Sequence, residues 1–370
     1  MNRFNKFIIA GEGVIYRKKA GLQGYYARVV RLSAKEFVSS FVASTLQEGP
    51  DCHPVITRSL DAGKTWAVEG PVDRQRPARF PPTETGFISK DSDGSLMCLG
   101  ARWKVNPASP DDSLINPTTV GMKENAVVSR RSRDGGRTWT EGRTIPKQLD
   151  CPFEVPTGMV ALDDGTNMMS FGTWKKWDGS LPHGHSVRMV KSKDHCRTFW
   201  KLITIFHDTT DNLGFWEGRV VQAGGNRLLA TCWAHDWKTD EDLLNHYAVS
   251  YDRGETWTEP KESMAEGQTG WPLWLGNDTF LFVYNHRRPP VGVKAQIVKL
   301  DGEKWVTLFD DMVWSPQSKA VGTISKGNYP VTSFQFGQPS AMSLDGNRIM
   351  VVYWCVVDKR AGINYTIIAI

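Results

Sequence analysis

An eight-residue motif, Ser-x-Asp-x-Gly-x-Thr-Trp, recurs along the chain and constrains its fold more than any other feature. Clean copies begin at Ser59, Ser132 and Ser250. A fourth copy, at residues 192–199, has Cys in place of Gly and Phe in place of Trp. A fifth, at residues 300–305, is reduced to Leu-Asp-Gly-Glu-Lys-Trp. An internal repeat of this kind predicts an architecture of repeated units before any single residue is interpreted.

Each copy of the motif has the composition of a tight turn between two strands. An Asp carboxylate accepts hydrogen bonds from nearby backbone N–H groups in Asx-type turns, and Gly adopts positive φ without strain. The Trp ring carries a large apolar surface that packs beneath the turn. We therefore interpret the motif as a structural turn rather than as a metal or sugar site.

The spacing of the repeats gives the number of units. The motif aspartates, at positions 61, 134, 194, 252 and 301, are about 60 residues apart, somewhat more than a typical four-stranded propeller blade. Short turns that each lead into a very apolar strand form a second series, at positions 34–35, 93–94, 164–165, 225–226, 277–278 and 345–346.

Six units predict an all-β fold, a six-bladed β-propeller with four-stranded antiparallel blades. We expect one domain over residues 1–370, with the N-terminal strand near Phe7 to Tyr16 completing the last blade, because this closure leaves no open sheet edge.

Composition argues against several classes of partner. The net charge is only +5 and no Lys/Arg block is long, so nucleic acid is not expected. No apolar stretch reaches the ~18–20 residues of a membrane span, and no secretory segment is visible, which favours a cytoplasmic location. The six cysteines lack metal-ligand spacing and resemble the buried thiols of a reducing compartment. The oligomeric state stays open.

Two long polar insertions, at residues 104–125 and 175–186, leave the second strand of a blade and return to the third. Loops in that position lie on the face where propellers bind ligands, so both are candidate rim elements. His183 and His185 in the second insertion, with His235 and His246, are weak metal-ligand candidates. We expect no metal and no cofactor.

The short turns also align the innermost strands of the blades. Counting back nine residues from the second position of each turn, or eight in the last blade, gives six positions that should form a ring around the central channel: Tyr26, Thr85, Pro156, Glu217, Thr269 and Gln338. The positions two residues further on are Arg28, Phe87, Gly158, Arg219, Trp271 and Ser340. We expect most of this second set to face the other way, although a small alignment error would bring Arg28 into the channel.

Further polar and aromatic residues lie close to this ring in the sequence. Glu84 and Glu154 stand just before inner strands, and Trp174, His235 and Arg287 stand where second strands leave for the loops. Carboxylates, cations and flat aromatic rings around one concavity are typical of a carbohydrate site.

The repeated motif, the six-fold count and the segment Trp216 to Leu229 together resemble the sialidase superfamily over nearly the whole chain. The resemblance implies that Glu217 is the partner of a catalytic Tyr. It implies that Arg28, in Tyr-Ala-Arg-Val-Val, and Arg287 are two of three substrate-clamping arginines. It also implies that Asp51, in a loop of the first blade, is the acid/base.

The chain departs from the pattern of this family at three positions. Gln338 stands where the nucleophilic Tyr is expected, no arginine is found at residues 232–233 where the middle arginine is expected, and Trp354 lies near the place of a supporting Glu. Without the Tyr, two carboxylates could cut a neutral or differently charged sugar. That pair would be Glu217 or Glu154 with Asp51 or Glu84. Alternatively, Tyr329 returns a phenol to the site from a loop.

We predict an exo-acting glycoside hydrolase that cleaves a terminal acidic sugar from a glycan. Arg28 and Arg287 would hold the sugar carboxylate, Asp51 would be the acid/base, and Glu217 would activate or replace the nucleophile. Other expected substrate contacts are Glu84, His53, His235, Gln338 and Trp174. Two alternatives are a non-catalytic sugar-binding propeller and a polysaccharide lyase, in which Tyr329 would work with His53 or His235.

Overall fold

The computed structural model describes residues 7–18, 21–74, 83–105, 113–154, 158–210, 212–316 and 335–370. Six antiparallel sheets of four or five strands follow one another along the chain, and the first strands of neighbouring sheets contact each other. The prediction of a six-bladed, all-β propeller is therefore confirmed. No helix in the described part of the chain is suited to crossing a membrane.

Each of the first three blades is built from strands that are consecutive in the chain. Blade 1 consists of β2 (Gln23–Arg31), β3 (Phe37–Ser44), β4 (His53–Ser59) and β5 (Ala67–Pro71). Blade 2 consists of β6 (Thr83–Glu84), β7 (Phe87–Lys90), β8 (Leu96–Trp103), β9 (Asn125–Ser132) and β10 (Arg143–Ile145). Blade 3 consists of β11 (Val160–Ala161), β12 (Asn167–Gly172), β13 (Val187–Ser192) and β14 (Trp200–Phe206).

The other three blades follow a similar plan. Blade 4 consists of β15 (Leu213–Gln222), β16 (Leu228–Asp236), β17 (Glu241–Asp242), β18 (Leu244–Ser250) and β19 (Lys261–Glu266). Blade 5 consists of β20 (Gln268–Gly276), β21 (Thr279–His286), β22 (Gly292–Asp301) and β23 (Lys304–Trp314). Blade 6 consists of β24 (Phe336–Asp345), β25 (Arg348–Val357), β26 (Arg360–Ala369) and β1 (Ile8–Tyr16). Because β1 pairs with β26, the predicted closure by the N-terminal strand is confirmed.

The hydrophobic core is divided among the interfaces between blades. Met168 packs with blade 4, whereas its neighbour Met169 packs with blade 2. In the same way, Leu228 packs toward blade 3 and Leu229 toward blade 5. Successive residues of a strand point to opposite faces, so a second strand covered on both faces needs consecutive apolar residues. Burying each such side chain contributes about 1.5–3 kcal/mol.

The repeated motif forms the turn that its sequence predicts. In the first copy, the Asp61 carboxylate accepts hydrogen bonds from the Thr65 amide (2.9 Å) and hydroxyl (2.6 Å). The Ser59 hydroxyl accepts a hydrogen bond from the Gly63 amide, and Gly63 has a φ of 87°. The Trp66 indole donates to the Gly63 carbonyl across the turn. These bonds lower the pKa of Asp61 to about 2, with Thr65 as the main contributor.

Candidate active site

A β-bulge interrupts four of the inner strands at the predicted ring position. The pairing register shifts at Tyr26, Glu217, Thr269 and Gln338, where φ is 53°, 53°, 46° and 41°. Non-glycine residues rarely adopt positive φ, and a bulge re-aims the side chain that it carries. Recurrence in four blades makes the bulge a feature of this fold. Thr85 lies between β6 and β7, and Pro156 lies outside the described residues.

Residues from three blades meet at the centre of the channel. The Gln338 side-chain amide of blade 6 donates a hydrogen bond to Glu217 Oε1 of blade 4 at 2.6 Å. The Glu217 backbone amide donates to Glu154 Oε2, next to blade 3, at 2.7 Å. The structure therefore brings together three of the residues singled out in the sequence.

Three buried arginines surround this centre. Arg28, Arg219 and Arg287 are 3%, 4% and 7% exposed, and the positive charge of each opposes the rise that burial causes in the pKa of Glu217. The expectation that Arg219 would face away is wrong, because its guanidinium interacts electrostatically with both Glu217 and Glu154, beyond a bulge that interrupts the strand alternation. Arg219 therefore supplies a third arginine, from a position that the resemblance did not indicate.

Four residues of the second set of aligned positions, Arg28, Phe87, Trp271 and Ser340, lie close together. The Arg28 guanidinium carbon lies 4.6 Å from the ring centre of Trp271 on blade 5 and 5.2 Å from that of Phe87 on blade 2. A cavity of about 190 Å³ borders Arg28, Trp271 and Ser340. These residues thus face the channel as a second layer.

Glu154 and Glu217 form a partly buried pair of interacting carboxyl groups. Burial and the charge of Glu217 raise the pKa of Glu154 to about 8. Burial also raises the pKa of Glu217, but Arg219 and the hydrogen bond from Gln338 oppose that rise. Both carboxyl groups therefore ionise less readily than an ordinary glutamate, and Glu154 holds a proton at neutral pH.

A third carboxyl group, which the sequence reasoning missed, comes from the loop between β3 and β4. The Tyr26 hydroxyl donates to Glu48 Oε1 at 3.2 Å and accepts from the Gln47 side-chain amide at 2.8 Å. Burial raises the pKa of Glu48 to about 7, with the charge of Glu217 adding to the effect. The only available signal was a second acidic residue in the loop that contains Asp51.

Asp51 lies in the same loop and His53 begins β4, but the hydrogen bonds of both side chains stay within this segment. Asp51 Oδ1 accepts hydrogen bonds from the Ser44 hydroxyl (2.5 Å) and the Thr45 amide (3.2 Å), and Oδ2 accepts from the same amide (3.0 Å). His53 Nδ1 lies 2.8 Å from the Asp51 carbonyl oxygen. These contacts fix the turn that positions Glu48.

Glu84 and Tyr329 are two further residues that the sequence suggested for a catalytic or binding role. The carboxylate of Glu84 is buried between the guanidinium groups of Arg102 and Arg130, the latter at 2.9 Å. Glu84 is therefore an internal ion-pair partner. Tyr329 lies outside the described residues.

Arg287 is held by a hydrogen-bonded chain that starts in blade 4. Arg287 Nε donates to Gln268 Oε1 (2.6 Å), and Gln268 Nε2 donates to Asp242 Oδ2 (2.7 Å). Asp242 Oδ1 accepts from the Trp233 indole and lies 3.0 Å from His235 Nδ1. The extra strand β17 delivers Asp242 to this position, and burial lowers the pKa of Arg287 to about 10.

The remaining aromatic prediction, Trp174, lies in a cluster beside Glu217. Its ring centre is 5.8 Å from that of Trp216 and 5.5 Å from that of His185. The Trp216 indole donates to His185 Nδ1 at 3.1 Å, and burial lowers the pKa of His185 to about 3, so this imidazole is neutral. His185 and His235 thus have hydrogen-bonding roles that do not require a metal.

Several buried polar atoms at this centre have no hydrogen-bond partner within the described part of the chain. They are Nε and Nη2 of Arg28, Nε and Nη2 of Arg219, Oε2 of Glu217 and Oε1 of Gln338. Leaving one buried donor or acceptor unsatisfied costs about 1–3 kcal/mol. Such a concentration of donors and acceptors in one concavity is typical of a site for a polar ligand.

Comparison with known proteins identifies solved structures that have a similar fold. No protein-family model matches it, and no curated protein matches it. Among solved structures, a protein of unknown function from Dyadobacter fermentans has a TM-score of 0.75 at 19% identity, covering 99% of this chain and 100% of its own.

Two enzymes are similar at lower identity. The α-L-arabinanase of Penicillium chrysogenum, solved with arabinobiose, has a TM-score of 0.67 at 13% identity and covers 98% of both chains. The NanB sialidase of Streptococcus pneumoniae has a TM-score of 0.61 at 13% identity, covering 97% of this chain and 70% of its own. At these identities the likeness concerns the fold, and it agrees with the six-bladed architecture.

Proposed function

We propose that the protein is an exo-acting glycoside hydrolase that cleaves a terminal acidic sugar from a glycan. The observation that carries the proposal is the group of unpartnered buried atoms around Glu217. The guanidinium donors of Arg28 and Arg219 match a carboxylate, and Glu217 Oε2 and Gln338 Oε1 match hydroxyl groups. An acidic sugar ring supplies both kinds of partner.

The two paired carboxyl groups divide the catalytic work. Glu154 is protonated at neutral pH and gives its proton to the glycosidic oxygen as the bond to the leaving group breaks. Glu217, whose ionised form the three arginines favour, stabilises the positive charge that develops on the sugar ring or attacks its anomeric carbon. The arginines limit the repulsion between Glu217 and an anionic substrate.

The general-base step, which the resemblance gave to Asp51 together with the acid step, belongs to Glu48 in this proposal. Asp51 is occupied by its own turn, whereas Glu48 has a pKa of about 7 and interacts electrostatically with Glu217. A group that titrates near neutral pH suits activation of the water that completes hydrolysis. Two structural neighbours, a sialidase and an arabinanase solved with arabinobiose, support a glycan as substrate.

A panel of 4-methylumbelliferyl glycosides tests the proposal. The panel contains the glycosides of three acidic sugars, glucuronate, galacturonate and N-acetylneuraminate. The glucuronide is compared with the neutral glucoside, and the galacturonide with the neutral galactoside. We expect hydrolysis of an acidic member and its loss in Glu217→Gln and Glu154→Gln, with Glu141→Gln, an exposed carboxylate, as the matched control.

Three results would contradict the proposal in different ways. Sugar binding without turnover favours a non-catalytic propeller. A rise in absorbance near 235 nm with uronate polymers reveals the unsaturated product of a lyase. Full activity in Glu217→Gln removes that residue from the mechanism.

A further inference from the structure

The mouth of the channel carries two exposed tryptophans outside the carboxylate cluster. Trp177 is 42% exposed and Trp237 is 39% exposed. Trp177 follows β12 and Trp237 directly follows β16, so both leave a second strand on the side where the inner strands begin. Large aromatic side chains that stay in water on a rim mark a binding surface.

Each of these tryptophans has a lysine ammonium near its ring. Lys123 Nζ lies 5.5 Å from the ring centre of Trp177, and Lys175 Nζ lies 5.1 Å from that of Trp237. The distances are those of cation–π contacts. We call Lys123, Lys175, Trp177 and Trp237 the rim patch.

Backbone and side-chain hydrogen bonds hold the rim patch together. The Met122 amide donates to the Lys175 carbonyl at 2.9 Å, which joins the insertion of blade 2 to that of blade 3. The Trp177 carbonyl accepts from the Asn116 side-chain amide (3.0 Å) and the Thr119 hydroxyl (2.8 Å). The described parts of the two insertions predicted as rim elements are therefore hydrogen-bonded to each other.

The rim patch adjoins the candidate active site. The ring centre of Trp237 lies 5.4 Å from that of Trp216, the residue that directly precedes Glu217. One buried aromatic ring thus separates the exposed face of the patch from the strand segment that carries the central carboxylate.

We propose that the rim patch is a second subsite, which binds an anionic sugar unit next to the one held over Glu217. An indole face packs against the C–H groups of a sugar ring, and the two ammonium groups form ion pairs with the acid group of that sugar. The substrate class is then an oligosaccharide with acid groups on neighbouring units. The inference rests on the proposed function for the placement of the first sugar.

Calorimetry on Glu217→Gln, which prevents turnover, tests the subsite directly. The ligands are galacturonate, digalacturonate and a sulfated chondroitin disaccharide, with galactobiose as the neutral comparison. We expect at least one acidic disaccharide to bind about tenfold more tightly than galacturonate. The preferred disaccharide distinguishes carboxylate from sulfate.

Second-site variants identify the residues responsible. Adding Trp237→Ala and Trp177→Ala should abolish the gain from the second unit without changing monosaccharide affinity, and Trp237→Phe should retain most of it. Trp274→Ala is the matched control, because Trp274 is 38% exposed on blade 5 and lies outside the patch. Lys123→Met with Lys175→Met should reduce the preference for digalacturonate over galactobiose to the preference that galacturonate shows over galactose, because the arginines still bind the acid group of the first unit.

The outcomes separate this inference from the proposed function. No gain for either acidic disaccharide, or a gain that survives both tryptophan substitutions, overturns the subsite. A tryptophan-dependent gain in a protein whose wild type hydrolyses no glycoside overturns the proposed function and leaves the subsite standing. Hydrolysis of simple acidic glycosides without such a gain supports the proposed function and overturns the subsite.

Discussion

Substituting Glu154 by Gln should stabilise the protein at alkaline pH while removing its activity. Burial and the charge of Glu217 raise the pKa of Glu154 from the ordinary 4.5 to about 8. The folded state therefore binds an extra proton between these values, and its stability falls as pH rises from about 4.5 to about 8. The amide introduced by Glu154→Gln would keep an oxygen that accepts the hydrogen bond from the Glu217 backbone, but it would carry no charge.

The size of the effect follows from the pKa difference. A pKa difference of one unit corresponds to about 1.4 kcal/mol. The rise from 4.5 to about 8 therefore limits the stabilisation by Glu154→Gln above pH 8 to about 5 kcal/mol. Glu154 is partly exposed in the channel, where water screens its charge, so we expect about 2 kcal/mol.

Urea unfolding of wild type, Glu154→Gln and the exposed control Glu141→Gln at pH 5, 7 and 9 measures this difference. The free energy of unfolding should be similar for wild type and Glu154→Gln at pH 5, and should favour Glu154→Gln at pH 9. Parallel pH profiles for the two proteins would refute the reasoning, since they would mean that Glu154 titrates normally.

Three further predictions concern the catalytic acid, the support of Arg287 and the repeated turn. In wild type, kcat/KM should fall above pH about 8 as Glu154 loses its proton, and a profile that keeps rising past pH 9 would exclude it as the acid. Asp242→Asn should raise KM for acidic substrates about tenfold with little change in kcat, because it weakens the chain that holds Arg287 through Gln268; an equal loss with neutral substrates would contradict this role. Gly63→Ala should lower the free energy of unfolding by about 1–2 kcal/mol in chemical denaturation, because φ is 87° there and the added Cβ would lie 2.8 Å from Met350; an unchanged midpoint would contradict the turn assignment.

The sequence predicted the fold well because repetition provides its own alignment. The short turns located every inner strand, and the ring position contains Glu217 and Gln338, which are hydrogen-bonded across the channel. Strand alternation could not predict the direction of Arg219, because a bulge at Glu217 interrupts the pleat and the guanidinium lies with Glu217 and Glu154. The bulge therefore concealed the third arginine.

Other parts of the site depend on features that no local pattern encodes. Glu48 and Asp51 are three residues apart in one loop, and the conformation of that loop decides which of them reaches Tyr26. The bulges are visible only in the register between strands. Asp242 acts on Arg287 through a side chain of the next blade, so neither sequence separation nor composition indicates the link.

The measurement that most directly tests the central claim is the rate of hydrolysis of each uronide relative to its matched neutral glycoside by wild type and by Arg219→Met. A hydrogen bond to a charged group contributes about 1.5–3 kcal/mol, so we predict that at least one uronide is hydrolysed about 100-fold faster than its neutral counterpart. We predict that Arg219→Met loses most of this preference. Equal rates for each pair, or an acid preference that persists without Arg219, would contradict the account.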